Sequence, residues 1–265
     1  MERGQSVFRT HRARIVSLCG LAAVWQILSL FFPPYLVPSV PEILGELGRI
    51  FITPKLIEHF AVSIGRLLMG VSVAFVLGGL VALCMSFSVQ IERHVSPIVE
   101  FLMGIPSLSL VVIVIIWVPE VEVRVFVVLL LVCFPFFTVQ ILDGIKGVSK
   151  DLVEMLRIFR PRRTQLLTKL ILPGVVPAIL TSWKVTIAFG TRAVIIAELV
   201  GATKGIGNRL LTAQEEFEMD DAVAWTLTLV IFLGFAQFVI ASIEKRLLRW
   251  RPQAVLGAGE QAGGP

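Results

Sequence analysis

Apolar positions in this chain arrive in unbroken blocks rather than in alternation. The blocks run from Ile15 to Phe32, Ala61 to Phe87, Pro97 to Val118, Val125 to Leu142, Gly174 to Leu199 and Ala222 to Ile243. About 20 apolar residues cross a bilayer as a helix, so the pattern predicts six membrane spans. Pro106 and Pro135, inside the third and fourth blocks, each remove a helix hydrogen bond and predict kinks. Gly65, Gly70, Gly78 and Gly79 in the second block predict close approach of neighbouring helices. The segment SVQIERHVS reads as a polar link and PEVEVR as a very short one. Pro41 to Phe51 reads as a short amphipathic helix on the membrane surface. The first block follows a basic stretch, as in a signal peptide. It is long for that role, however, and Pro33-Pro34 stands where small cleavage-site residues belong, so a retained span is expected.

Composition fits this picture. Hydrophobic residues make up 56% of the chain and charged residues 16%, with mean hydropathy +0.86. That leaves no polar shell for a soluble domain of 265 residues. Net charge is +5. No basic stripe is interleaved with aromatics, so nucleic acid is not an expected partner. With the N-terminus inside and six alternating spans, 16 of the 24 Lys and Arg fall in inside segments and five outside. The other three, Arg66, Lys184 and Arg192, lie within spans. This bias predicts both termini on the cytoplasmic side.

The chemistry-bearing residue types form no enzyme-like set. Cys19, Cys84 and Cys133 sit singly in apolar blocks, and no CxxC or HExxH occurs. No metal or cofactor is expected. Gly201-x3-Gly205-x-Gly207 lacks the Gly-Lys-Ser/Thr of a phosphate loop, so no nucleotide site of that type is expected either.

The most informative polar segment lies between the fourth and fifth blocks and reads KGVSKDLVEMLRIFRPRRTQLLTKLILPGVVPAIL. Ser149 or Asp151 suits a helix cap. Leu152, Met155, Leu156 and Phe159 then share one face, and Pro161 disfavours helix at Arg160. A short amphipathic helix outside the bilayer is expected. It either rests on anionic lipid or docks into a groove of a partner. Pro173 and Pro177 join it to the fifth span, as a stiff junction or simply as the entry of a membrane helix.

Here the chain resembles a family. Permeases of bacterial ABC importers carry EAA-x3-G-x9-I-x-LP; Glu154, Leu170, Leu172 and Pro173 match it, while Met155, Leu156 and Arg160 replace the two alanines and the glycine. HFAVSIGRLLMGVSVAFVLGG, SPIVEFLMGIPSLSLVVIVIIW, AELVGATKGIGNRLL and EKRLLRWR resemble permeases of the nitrate, sulfonate and taurine type. The resemblance implies an all-α membrane protein of type I importer architecture. It implies residues 1–14 as a cytoplasmic N-terminus, 15–56 as first span and periplasmic loop, 57–245 as the permease domain, and 246–265 as a cytoplasmic tail. It further implies a transport subunit rather than an enzyme, in the bacterial inner membrane, paired with a second permease chain as a homodimer. Separate ATPase subunits would receive the helix near 150–159 through Asp151, Leu152, Glu154, Met155, Arg157, Phe159 and Arg160, and a solute-binding protein would deliver the solute. A small anion such as a sulfonate, taurine or nitrate is expected, with a heterocyclic vitamin or pyrimidine precursor as the alternative. A secondary carrier is disfavoured, because the blocks show no inverted-repeat halves.

In the fifth block Thr181, Lys184, Ala188 and Thr191 recur at helical spacing, with Arg192 beside them. This seam either lines the pathway, where its cations favour an anion, or packs against a neighbour with its charges satisfied by backbone carbonyls or by glutamates such as Glu198. The acidic run Glu215, Glu216, Glu218, Asp220 and Asp221 is either a solvated rim or a docking surface for the binding protein.

Overall fold

A computed structural model describes residues 2–149, 154, 155, 158, 165 and 167–248, with side chains from residue 16 onward apart from Leu167. The described residues form helices without a strand. In chain order these are α1 (Glu2–Ser29), α2 (Val40–Ile52), α3 (Pro54–Phe87), α4 (Val89–Gly104), α5 (Ser107–Trp117), α6 (Val121–Lys146), a π-helical turn (Leu167–Ile171), α7 (Leu172–Leu199), α8 (Ile206–Glu215) and α9 (Met219–Leu247). Among the described residues α3, α6, α9 and the run Thr168–Leu199 are long and apolar enough to cross a membrane, and α4 with α5 make a bent fifth. The expected first span lies in α1. Within α1, Val16–Ser29 is apolar.

Three expectations need correction. PEVEVR is a link only at Pro119 and Glu120, because α6 begins at Val121. SVQIERHVS is not a link: it begins α4, whose N-cap Ser88 accepts a hydrogen bond from the Ile91 amide at 3.4 Å. Polar residues there mark the first turns of a helix, with Glu92 near its positive end. Pro106 does not kink the third block but divides it, and α5 turns 98° from α4. A residue before proline is driven out of the helical region, and Ile105 has the extended angles φ −79°, ψ 124°. Pro135, by contrast, sits within an uninterrupted α6. The expected short helix is α2, where Ser39 donates its amide to Glu42 at 2.8 Å. That bond and the Ser39 hydroxyl hold the Glu42 carboxyl below its ordinary range.

The chain divides into two compact units. One comprises Met1–Ile64 and Glu198–Ile231, the other Gly65–Ala197 and Phe232–Pro265. In the second unit, α3 presents Leu67, Gly70, Val71, Ala74, Gly78 and Ala82 as buried positions along one face. A Cβ on Gly70 would lie 2.7 Å from Leu129 Cδ1, and one on Gly78 would lie 2.9 Å from the Phe134 carbonyl oxygen. Both partners belong to α6. Gly190 of α7 meets Leu67, Val71 and Cys133 at 3.0–3.2 Å by the same measure. Phe75, Phe137 and Trp183 cluster with centroids 5.3–5.5 Å apart. Glycine at these points lets backbones approach closely, which matters where lipid tails compete equally for apolar contact. Of the four glycines in the second block, Gly65 faces open space and Gly79 has only ordinary contact.

Gly78→Ala should therefore destabilise the protein by about 1–3 kcal/mol, because its clash is with backbone that cannot rotate away. Gly65→Ala should be neutral or stabilising by up to about 1 kcal/mol. Thermal unfolding of the detergent-solubilised protein checks both, and equal midpoints for the two variants would refute the packing assignment.

Candidate functional site

The amphipathic segment after α6 is described at few positions. Glu154, Met155 and Ile158 are helical and exposed, Ile158 at 79% of its surface. Asp151, Leu152, Arg157, Phe159 and Arg160 lie outside the described residues. Downstream, the π turn Leu167–Ile171 runs directly into α7, which holds Pro173 in its first turn and Pro177 within. Pro173 has no N–H to offer the carbonyl of Lys169, and a widened turn is the local answer to that missing bond.

The fifth-block seam lies along α7, from Thr181 to Arg192, about 16 Å by helical rise. Thr181 is exposed. Lys184 is half-buried and its Nζ meets Glu244 Oε2 of α9 at 2.5 Å. Thr191 is buried, and its hydroxyl donates to the Ile187 carbonyl at 2.7 Å. Arg192 is exposed, with its guanidinium 5.8 Å from the centre of the Phe189 ring. Lys184 thus takes Glu244 as its carboxylate, and Glu198 is engaged elsewhere.

Glu198 anchors a site that the sequence reading missed. In the first unit this fully buried residue accepts a hydrogen bond from the Ser63 hydroxyl, 2.7 and 2.8 Å from its two oxygens. The Gly207 amide donates to Glu198 Oε2 at 2.9 Å. Ser63 Oγ in turn accepts from the Ile206 amide at 2.7 Å. Ile206 and Gly207 open α8, and their N–H groups have no partner within that helix. N-cap Gly205 has no side chain to serve them. Ser63 and Glu198 act as a remote cap, and the carboxylate suits the positive end of the helix. Gly205 is required twice over. Its φ of 127° disfavours other residues, and a Cβ would stand 2.5 Å from the Glu198 carboxyl carbon. The His59 ring nitrogen Nδ1 lies 3.1 Å from the amide nitrogen of the same glycine. The available signal was Glu198-x6-Gly205-x-Gly207, a buried-depth acid followed by glycines with no phosphate to hold.

The acidic run is not uniformly solvated. Glu215, Glu216 and Glu218 are exposed, but Asp221 is buried and accepts from Arg209 Nη2 at 2.8 Å. Burial raises the Glu46 carboxyl above its ordinary range; Arg49 opposes the rise, and Asp221, Asp220 and Glu218 add to it.

Ser63→Ala removes both a donor to buried Glu198 and the acceptor for the Ile206 amide, and should destabilise by about 1–3 kcal/mol. Gly205→Ala should cost more, since about 1–3 kcal/mol of backbone strain adds to the carboxyl clash. Exposed Thr226→Ala should stay within about 0.5 kcal/mol. Unfolding midpoints in detergent measure all three, and a Gly205→Ala protein as stable as the parent would refute the capping geometry.

The chain is similar to known transport proteins over most of its length. It is 30% identical over 237 residues to an Escherichia coli permease named for aliphatic sulfonates transport, covering 88% of this chain and 89% of that one. It is 27% identical to the taurine transport system permease protein of Escherichia coli, covering 89% and 88%. It is also 28% identical to the formylaminopyrimidine transport permease protein of Halalkalibacterium halodurans, covering 87% and 92%. In fold it is similar to a chain of the MetNI methionine ABC transporter in an inward-facing conformation, with TM-score 0.60, 19% identity, and coverage of 74% and 99%. A chain of an amino acid ABC transporter with histidines gives TM-score 0.64, 15% identity, and coverage of 76% and 97%. Helices without strands, apolar spans and this fold therefore meet in one assignment. With residues 74–250 matching the family's pattern, the chain belongs to the binding-protein-dependent transport system inner membrane components, the multi-pass permease subunits of ABC importers.

Proposed function

We propose that this permease forms the transmembrane pathway for a small anion of the sulfonate or taurine class. It does so as a homodimer, with both termini cytoplasmic and ATP hydrolysed on separate subunits. The observation that carries the coupling is an exposed helical segment, Glu154, Met155 and Ile158, offering apolar side chains to solvent between α6 and the π turn. The segment around it, with Asp151, Leu152, Arg157, Phe159 and Arg160, docks into a groove on the ATPase. The charge bias supports an orientation with this segment inside the cell. A two-state partner can move the spans only through a connected element, and the unbroken helical run from Leu167 to Leu199 supports this reading on the span side of the segment. α7 lines the pathway with Thr181, Lys184, Thr191 and Arg192. A solute-binding protein delivers the anion from the other side. The names of two relatives at 27% and 30% identity support the sulfonate class. A pyrimidine precursor is the second reading, favoured by the relative named for formylaminopyrimidine.

Met155→Asp and Ile158→Asp should lower ATP-driven taurine uptake at least about tenfold in proteoliposomes holding permease, ATPase and binding protein. Losing two apolar anchors from a docked helix removes several kcal/mol of contact. Co-purification of the ATPase should weaken in parallel. Labelling of Met155→Cys from the cell exterior in intact cells would overturn the orientation, and undiminished uptake would overturn the coupling role.

A further inference from the structure

The break between α4 and α5 borders a cavity of about 250 Å³, lined by residues including Gly104, Pro106, Ser107, Phe136 and Phe189. Phe136 and Phe189 stack with centroids 4.5 Å apart and planes 19° off parallel. Arg192 is not itself a lining residue, but its guanidinium lies 5.8 Å from the centre of the ring of Phe189, which is one. We propose that this cavity is the anion subsite of the pathway and that Arg192 is the cation that meets the solute, an inference resting on the anion-import reading above.

Three observations converge on it. The first is the treatment of charge. Arg66 is paired with Glu122, and Lys184 with Glu244. Arg192, about 10 Å by helical rise from the C-terminal end of α7, has no carboxylate within ion-pair distance among the described residues. It lies instead against an aromatic ring. A cation at membrane depth without a counter-charge is costly unless it meets water or an anionic ligand. The second is the backbone. Gly104, Ile105 and Pro106 interrupt a candidate span with a 98° turn. Irregular backbone at that depth is tolerated only inside protein or beside a wet cavity. The third is shape and chemistry. The cavity lies below the range of about 300–1,000 Å³ typical for drug-sized ligands, so it takes a small solute. Its walls are apolar and aromatic, with the Ser107 hydroxyl and the break's peptide groups as polar points. A guanidinium forks onto an oxyanion through two parallel hydrogen bonds, while a short carbon chain rests on the rings. The matching ligand is a small organic oxyanion with an apolar body.

The test uses the full-length permease in its assembly, with Cys19, Cys84 and Cys133 replaced by serine and Ser107→Cys as the reporter. Labelling rates are compared for an anionic sulfonatoethyl and a cationic trimethylammonioethyl methanethiosulfonate. With Arg192 present, the anionic reagent should be favoured over its rate ratio on a free aqueous thiol by about tenfold, as expected of one cation in a partly dry site. Arg192→Gln should collapse the preference; Arg93→Gln, an exposed cation of α4, should not. Ethanesulfonate should slow labelling at least about threefold when Arg192 is present and not in Arg192→Gln. An unreactive reporter thiol at position 107, a preference that survives Arg192→Gln, or protection by a neutral pyrimidine but not by ethanesulfonate would each overturn the assignment. This readout needs neither ATP nor uptake, so its failure is distinct from failure of the import reading.

Discussion

A peptide group inside a membrane has no water to bond with, and each N–H and C=O must find a partner in the protein. Long helices meet that demand for most of the chain. The places where helices stop are where side chains take over. At the end of α5, buried Arg124 donates to the carbonyls of Val118 at 3.1 Å and Pro119 at 2.8 Å. At the start of α8, Ser63 and Glu198 accept from amides that no local residue can serve. The two arrangements mirror each other in charge: a cation on carbonyls at a helix C-terminus, an acid on amides at an N-terminus. Both follow the sign of the helix dipole. Each lets the chain turn sharply between apolar segments without stranding polar backbone.

Holding the helices together is a separate problem, because lipid is as apolar as leucine. The solution along α3 is to remove side chains rather than add them. Gly70 and Gly78 bring α6 within reach, and the buried alanines between and beyond them continue the same face. Gly144 of α6 does the same for Ala178 of α7, where an added Cβ would stand 2.5 Å from that residue's Cβ. Larger groups then fill the space beside these contacts, as the Phe75, Phe137 and Trp183 cluster shows.

The architecture was legible because transfer of apolar side chains into lipid is a property of composition alone. Blocks of about 20 apolar residues need no tertiary information to be read. Boundaries were less legible. Ser88 to Ser96 is polar, and polarity resembled a loop, but a helix emerging from the bilayer is equally polar in its first turn. Pro106 and Pro135 looked alike in sequence, yet one divides a helix and the other does not. The pairing of Gly104-Ile105 with Pro106 distinguishes them, since an extended residue before proline ends the helix. The Glu198 site was illegible because Ser63 lies 135 residues away from it. No periodicity links two positions whose only relation is a shared buried hydrogen bond.

Charge counts show which side of a membrane a residue favours, not what it touches. Glu244 sits near the end of α9, just past the sixth apolar block; in the structure it pairs with Lys184, twelve residues into α7. Removing one member of a half-buried pair leaves the other uncompensated, which costs more than replacing both with apolar residues. Lys184 and Glu244 are therefore energetically one unit, joining α7 with α9. For Lys184 to act on a passing anion, its contact with Glu244 must first open. Under the import reading proposed above, motion of α7 is the route by which an ATP-driven partner would open it.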